Sequence, residues 1–108
     1  MAIYLGRFSY TTEAVRKLIA NPEDRTEVAR AAVESVGGTL HGFWYAFGDF
    51  DGYWLFEVPD NTSAAALAMT VGAGGALSKV ETIPLFSVEE GIEAFRRAGS
   101  VVYRTPGE

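Results

Sequence analysis

The sequence contains no cysteine and only one histidine, His41, among its 108 residues. Without cysteine there are no disulfide bonds, no thiolate metal ligands and no cysteine nucleophile. A single histidine does not supply the three or four protein ligands of a typical zinc site, so we expect no metal. Phosphate-binding loops of the Gly-x-x-x-x-Gly-Lys type and Gly-x-Ser-x-Gly nucleophile motifs are also missing. These absences lead us to expect no cofactor.

Basic residues are few, since nine Lys and Arg stand against 14 Asp and Glu and give a formal charge of -5. The two basic pairs, Arg16-Lys17 and Arg96-Arg97, fall in helical patterns that also contain acids, so we expect no nucleic-acid partner. The sequence shows no signal peptide and no apolar stretch long enough to span a bilayer, which predicts a cytoplasmic protein without a membrane partner. The length and the 48% hydrophobic content are typical of one folded domain.

Turn and cap residues divide the chain into strands and helices. The five-residue link Gly48 to Gly52 predicts a hairpin between two aromatic runs. Asn21-Pro22 predicts that the first helical region breaks and restarts there. Asp60 or Thr62 is expected to cap the next helix, and Ser87 to Glu90 has the pattern of a capping box. The predicted order is strand, helix, strand, strand, helix, strand and helix, over residues 2–8, 12–36, 39–47, 53–58, 60–71, 77–86 and 87–98.

This order predicts an α+β, ferredoxin-like fold, in which a βαββαβ chain forms a four-stranded antiparallel sheet with both main helices on one face. A C-terminal helix is added after the last strand. Pro84 cannot donate a backbone hydrogen bond, so we expect it on an edge strand or at a bulge. Residues 1–98 are expected to form this domain, and residues 99–108 a tail or an added edge strand.

Alternation along the strands separates two faces of the predicted sheet, because side chains two residues apart share a face. The more aliphatic set is expected to pack against the helices: Ile3, Leu5, Phe43, Phe47, Leu55, Ile83 and Leu85. The other set is expected on the opposite face: Tyr4, Gly6, Phe8, Gly42, Trp44, Ala46, Trp54, Phe56, Val80 and Thr82. Exposed aromatics on this scale would form an unusually large apolar patch. We therefore predict that a second copy of the chain covers them, which makes the protein a homodimer.

The hairpin region carries a signature that is similar to that of a known family. Gly48 is followed two residues later by Phe50-Asp51, and then by an extended run that closes in Glu57-Val58-Pro59-Asp60. Two further stretches agree, Gly37-Gly38 before the second strand and Ser87 to Glu90 at the start of the last helix. On these residues the chain resembles the GYD domain family from about Ala2 to Ala98.

The resemblance implies a dimeric α/β barrel, that is, a homodimer whose two sheets face each other. It implies no particular activity. The chain departs from the family pattern at three positions. Phe50 replaces the tyrosine of the family, and Trp44 and Trp54 replace a tyrosine and a smaller residue.

Three polar residues are candidates for proton transfer: His41, Asp51 and Glu57. His41 has a suitable pKa for a general base, and the alternative is a partly exposed strand residue. Asp51 is a candidate catalytic residue, and the alternative is that it shapes the hairpin. Glu57 is a candidate base, and the alternative is a salt bridge with Arg7 or Lys79.

Large aromatic side chains on the expected partner face are candidates for a ligand pocket between the two sheets, with dimer packing as the alternative. The candidate ligand-binding residues are Tyr4, Phe8, Trp44, Trp54, Phe56 and Thr82. One predicted function is a dimeric module that binds a small hydrophobic or aromatic molecule. The other, which is implied only by analogy with the superfamily, is a cofactor-independent isomerase, oxygenase or decarboxylase in which His41 or Glu57 moves protons.

Overall fold

The computed structural model describes residues 1–108 and contains four strands and four helices. The strands are β1 (Ala2–Tyr10), β2 (Thr39–Tyr45), β3 (Gly52–Val58) and β4 (Leu77–Leu85). The helices are α1 (Thr12–Ala20), α2 (Thr26–Ser35), α3 (Asn61–Ala73) and α4 (Val88–Ala98). The strands form one antiparallel sheet in the order β2-β3-β1-β4. The predicted α+β, ferredoxin-like fold is confirmed, and Pro84 lies on the edge strand β4 as expected.

Side-chain caps explain where three of the helices begin. Thr11 accepts a hydrogen bond from the backbone of Ala14 at 3.1 Å, and Asp60 accepts one from Ser63 at 2.8 Å. Ser87 and Glu90 form both hydrogen bonds of a capping box at the start of α4. Each of these bonds satisfies a backbone donor that the first turn of a helix leaves free.

The restart predicted at Asn21-Pro22 was wrong, because residues 21–25 are not helical and α2 begins at Thr26. The carboxylate of Asp24 accepts a hydrogen bond from the backbone of Thr26 at 2.9 Å. Interaction with the side chain of Thr26, together with this backbone hydrogen bond, lowers the pKa of Asp24. An aspartate that binds the backbone two residues ahead holds the chain in a turn, so the helix starts after it.

The aromatic side chains of the sheet lie beneath α2 and α3, which reverses the predicted assignment of faces for β1, β3 and β4. Tyr4, Phe8, Trp54 and Phe56 are buried in one cluster with Val33 of α2 and two residues of α3, Ala64 and Leu67. The helix surfaces that meet them consist largely of alanine and valine. Small helix residues leave room for large residues from the sheet, and this size complementarity decides which face is covered. The aliphatic residues Ile3, Leu5, Leu55, Ile83 and Leu85 therefore occupy the other face, which we call the open face.

A β-bulge at His41 shifts the pairing of β2 with β3. Leu40 pairs with Phe56, but Gly42 pairs with Leu55, so His41 is the extra residue. The bulge moves the following side chains to the other side of the sheet relative to a regular strand. Phe43 consequently faces the helices and Trp44 the open face, as predicted for these two residues.

Helix α4 packs little against the remainder of the subunit, and its apolar residues Val88, Ile92 and Phe95 are exposed. These residues lie at i, i+4 and i+7, so they form one stripe on the helix. Residues 99–108 form neither a helix nor a strand. No helix of the protein combines the length and hydropathy that are needed to cross a membrane.

Candidate functional site

Two of the three candidate proton-transfer residues meet on the open face. The bulge brings His41 beside Glu57, and His41 Nε2 lies 2.8 Å from Glu57 Oε1. Both side chains remain partly exposed. Glu57 thus pairs with His41. The alternative in the sequence analysis, a salt bridge of Glu57 with Arg7 or Lys79, does not form, and Arg7 instead forms a salt bridge with Glu81 at 3.1 Å. The imidazole and the carboxylate are close enough to exchange a proton.

Asp51 lies at the other end of β3 and ties the hairpin to β1. Its carboxylate accepts a hydrogen bond from the backbone N–H of Tyr10 at 2.8 Å. Its backbone N–H donates to Phe8, and its carbonyl accepts from Ala46, each at 2.8 Å. The last regular pair between β1 and β3 is Phe8 with Gly52. The hydrogen bonds of Asp51 extend the contact between β1 and the hairpin by one more residue. The hydrogen bonds of Asp51 agree with the alternative that this residue shapes the hairpin. Asp51 does not lie beside His41 and Glu57.

The six candidate ligand-binding residues do not form one site. Trp44 lies on the open face, where it pairs across from Tyr53. Thr82 pairs with Gly6 and shares the helix-covered face. Tyr4 and Phe56 lie deep in the core, where their rings stack with centroids 5.6 Å apart and the Tyr4 hydroxyl bonds to Asn61. Of the six, Phe8 and Trp54 border a space inside the subunit.

That space is a cavity of about 250 Å³ between the sheet and helices α2 and α3. Its floor is formed by side chains of the sheet: Phe8, Tyr10, Phe43, Trp54, Leu77 and Val80. The helical wall is formed by Val28, Ala29 and Ala32 of α2 and by Val71 of α3. Eleven of its 13 lining residues are hydrophobic, so the cavity offers a mainly apolar surface that is open on one side.

Two close cross-strand contacts fix the cavity floor. The ring of Phe8 lies over Gly52, its direct partner on β3, and the ring of Trp54 lies over Gly6, its direct partner on β1. A side chain at either glycine would occupy the position of the ring. The two glycines thus allow the aromatic rings to lie flat across the neighbouring strand, where they border the cavity.

Polar groups are confined to the rim of the cavity. The hydroxyl of Tyr10 lies 3.2 Å from that of Tyr45. Burial raises the pKa of Tyr10, and the hydrogen bond to Tyr45 raises it further, so the phenol stays protonated at neutral pH. Arg25, immediately before α2, is the only charged residue in the lining. Its Nη1 atom lies 3.2 Å from Oε1 of Glu23.

Sequence reasoning missed Arg25, Tyr10 and Phe43 as residues of this cavity. Phe43 was assigned to the helix-covered face, but no space was expected there. The available signal was the mismatch in size along α2, since Ala29 and Ala32 are too small to fill the region above Phe8 and Trp54. Arg25 gave no local signal, because only the fold brings the turn before α2 to the end of β1.

The open face combines aliphatic residues with an ordered cluster of charge. Arg7 Cζ lies 4.2 Å and Lys79 Nζ 4.7 Å from the centroid of the Phe50 ring. The hydrogen bond with Glu81 raises the pKa of Arg7. Phe50 itself is buried. A phenylalanine at this position therefore stacks beneath two cations without needing a hydroxyl group.

The sequence model of the GYD domain matches residues 4–95 of the chain. The chain belongs to the GYD domain family. The resemblance predicted from the hairpin signature is thus confirmed. A comparison with curated proteins gives no match.

Among solved structures, the chain is similar to the crystal structure of FFRP-DM1, with a TM-score of 0.51 and 12% sequence identity. The alignment covers 80% of this chain and 100% of that one. At this identity the likeness concerns the fold alone. It agrees with the ferredoxin-like order of strands.

Several residues of the GYD signature have structural places in this member of the family. Asp51 joins the hairpin to β1, and Asp60 caps α3. Gly52, which follows Asp51 directly, leaves room for the ring of Phe8. The hydrogen bond from Ser63 lowers the pKa of Asp60. Glu57 is the signature residue that has a titratable partner, His41. The signature therefore describes mainly how the hairpin and α3 are held.

Proposed function

We propose that this GYD-domain protein binds a small hydrophobic or aromatic molecule in the cavity between the sheet and the helices. The observation that carries the proposal is the combination of an apolar lining with unfilled space of about 250 Å³. The cavity is slightly smaller than most ligand pockets, which range from about 300 to 1,000 Å³. A small ligand with one ring therefore matches it. Phe8, Phe43 and Trp54 offer aromatic surfaces to such a ring.

We further propose that the protein acts as a homodimer through the open face. This face presents five aliphatic residues, of which Ile3 and Leu85 are exposed and Leu5, Leu55 and Ile83 are half-buried. The open face of a second copy matches this face in chemistry, because each copy presents aliphatic residues in the middle of the sheet. The exposed apolar stripe of α4 adds surface that can extend the contact toward the area of about 800 Å² per partner of a stable interface.

The position of the two tryptophans allows a direct test of the cavity. The chain has two tryptophans, of which Trp54 borders the cavity and Trp44 lies on the open face. In a Trp44→Phe variant, all tryptophan fluorescence comes from Trp54. We expect 2-phenylethanol, phenylacetamide or phenylacetate to change this fluorescence saturably.

A matched pair of variants locates the binding. Ala29 lines the cavity, and Ala31 is exposed on the same helix. In the Trp44→Phe background, Ala29→Leu is expected to abolish the fluorescence response and Ala31→Leu to retain it. The proposed function is refuted if none of the three compounds gives a saturable response, or if Ala29→Leu binds as tightly as Ala31→Leu.

The pairing of His41 with Glu57 supports a second candidate function. In a dimer formed through the open face, this pair would lie beside the space between the two sheets. There it would serve a cofactor-independent enzyme as a proton-transfer pair, since an imidazole 2.8 Å from a carboxylate is held in one orientation. In a screen for isomerase, oxygenase or decarboxylase activity, His41→Gln and Glu57→Gln should each abolish turnover and leave the dimer intact. Unchanged turnover in both variants would exclude this role.

A further inference from the structure

The lining of the cavity contains one cation and no anion. Arg25 is its only charged residue, and eleven of the other twelve are hydrophobic. The chain as a whole is acidic, with 14 Asp and Glu against nine Lys and Arg. A cation at the rim of an apolar cavity in an acidic protein distinguishes this site from the surrounding surface, which would repel a negatively charged ligand.

The guanidinium of Arg25 keeps donors available for a ligand. Its hydrogen bond to Glu23 uses Nη1, whereas a guanidinium carries five N–H donors in a planar arrangement. The other nearby carboxylate, that of Asp24, accepts the backbone N–H of Thr26. Two parallel N–H groups of an arginine match the two oxygens of a carboxylate.

Arg25 is one of the residues that line the cavity. Burial and the hydrogen bond to Tyr45 raise the pKa of Tyr10, the positive charge of Arg25 lowers it, and Asp51 acts against Arg25. Tyr10 is also a lining residue, and its hydroxyl faces that of Tyr45. Arg25 and Tyr10 thus place two polar side chains in the lining of one mainly apolar space.

We propose that the cavity selects a small aromatic monocarboxylate, with the ring against Phe8, Phe43 and Trp54 and the carboxylate against Arg25. This inference rests on the proposed function and adds the chemical class of the ligand. A single negative charge fits better than a phosphate group. Arg25 is the only cation in the lining and is already paired with Glu23, so a ligand with one negative charge leaves less charge uncompensated than a doubly charged phosphate.

A matched pair of ligands tests the inference. Phenylacetate and phenylacetamide have nearly the same shape and differ in charge. A charge-assisted hydrogen bond is stronger than a neutral one, but solvent weakens it here because Arg25 is partly exposed. We therefore expect the wild-type protein to bind the acid about tenfold more tightly than the amide at low salt. This preference should weaken as the salt concentration rises.

A matched pair of variants assigns the preference to Arg25. Arg25 and Arg30 have side chains that are 39% and 40% exposed, and each pairs with a glutamate, at 3.2 and 3.3 Å. Arg30 does not line the cavity. Arg25→Gln is expected to remove the preference for the acid without changing the affinity for the amide. Arg30→Gln makes the same change in net charge and should retain the preference, and Arg25→Lys should retain part of it.

The outcomes separate this inference from the proposed function. Equal affinity of the wild-type protein for acid and amide would overturn the choice of a carboxylate and leave the cavity as a binding site. Equal loss of the preference in Arg25→Gln and Arg30→Gln would show a general charge effect and would also overturn the inference. Absence of binding of both ligands and of 2-phenylethanol would refute the proposed function itself. Far-UV circular dichroism confirms that each variant is folded before its affinities are compared.

Discussion

Replacing Ala29 with leucine tests whether the cavity is free space in the folded protein. The substitution adds three carbon atoms to the cavity wall. Burying them fully would stabilise the protein by about 0.8 kcal/mol per carbon, or about 2.4 kcal/mol in total. The cavity is open on one side, so we expect about half of this, a stabilisation of about 1 kcal/mol. A packed interior would instead be strained by the same change and lose about 1–3 kcal/mol.

The control is Ala31→Leu, which makes the same chemical change on the exposed side of α2. Both variants alter helix propensity equally, so their difference reports the cavity alone. The control should stay within about 0.5 kcal/mol of the wild-type stability. The free energy of unfolding is measured by urea denaturation at one protein concentration, because the stability of the proposed dimer would depend on concentration. A difference of 1 kcal/mol corresponds to about 4–8 °C in melting temperature for a domain of this size.

The sign of the difference in stability between Ala29→Leu and Ala31→Leu shows whether the cavity is free space. If Ala29→Leu is less stable than Ala31→Leu by 1 kcal/mol or more, the region between α2 and the sheet is filled and holds no ligand. That result would contradict the cavity and everything that is proposed for it.

Three further predictions concern the dimer, the hairpin and the helix cap. Leu5→Glu should make the protein monomeric in light scattering, because Leu5 lies on the open face. Met69→Glu, on the exposed surface of α3, should leave the dimer intact. A dimer in both variants would exclude this interface. Asp51→Ala should destabilise the protein by about 1–3 kcal/mol in urea, since the backbone N–H of Tyr10 loses its acceptor, and an unchanged midpoint would contradict that role. Asp60 has a lowered pKa, so its cap stabilises the protein above the unfolded pKa of about 3.9 and loses its effect as the pH falls through the folded value. Asp60→Asn should reduce the acid dependence of stability, and an identical pH profile would refute the assignment.

The order of elements was predictable from the sequence because local residues determine it. Turn residues in the link Gly48 to Gly52 separate β2 from β3, and the caps at Asp60 and Ser87 start α3 and α4. Such signals depend only on nearby backbone groups. The restart of α2 was misplaced because Asn21-Pro22 has the pattern of a helix start. In the structure Asp24 holds a turn by accepting a hydrogen bond from the backbone of Thr26, and α2 begins at Thr26 without a side-chain cap.

The choice of the covered face was not predictable from alternation alone. Both faces of β1 and β3 are apolar, so hydrophobicity does not distinguish the aromatic set from the aliphatic set. The decisive property is the volume of the opposing helix residues, such as Val33 and Ala64, which pack against large partners from the sheet. The bulge at His41 also escaped prediction, because a β-bulge of this kind has no fixed residue type.

The candidate site was predicted in part. Phe8 and Trp54 border the cavity, but they do so beneath the helices and not between two sheets. Tyr4 and Phe56 are packing residues of the core, where they have no free space to offer. Arg25 lies 15 residues from Tyr10 in sequence, and only the tertiary fold places both at one rim. Residues that act together across such a distance leave no pattern in a single sequence.

The two proposed surfaces lie on opposite sides of one sheet, and β3 contributes to both. Trp54 borders the cavity, while the next residue, Leu55, belongs to the open face. The sheet is one residue thick, yet β3 is hydrogen-bonded to a neighbour on each side, which keeps its backbone from shifting with either contact. Ligand binding and dimer formation are therefore expected to be energetically independent. A monomeric Leu5→Glu protein should bind phenylacetate with the affinity of the dimer, and a changed affinity would mean that the sheet transmits the loss of the partner to the cavity.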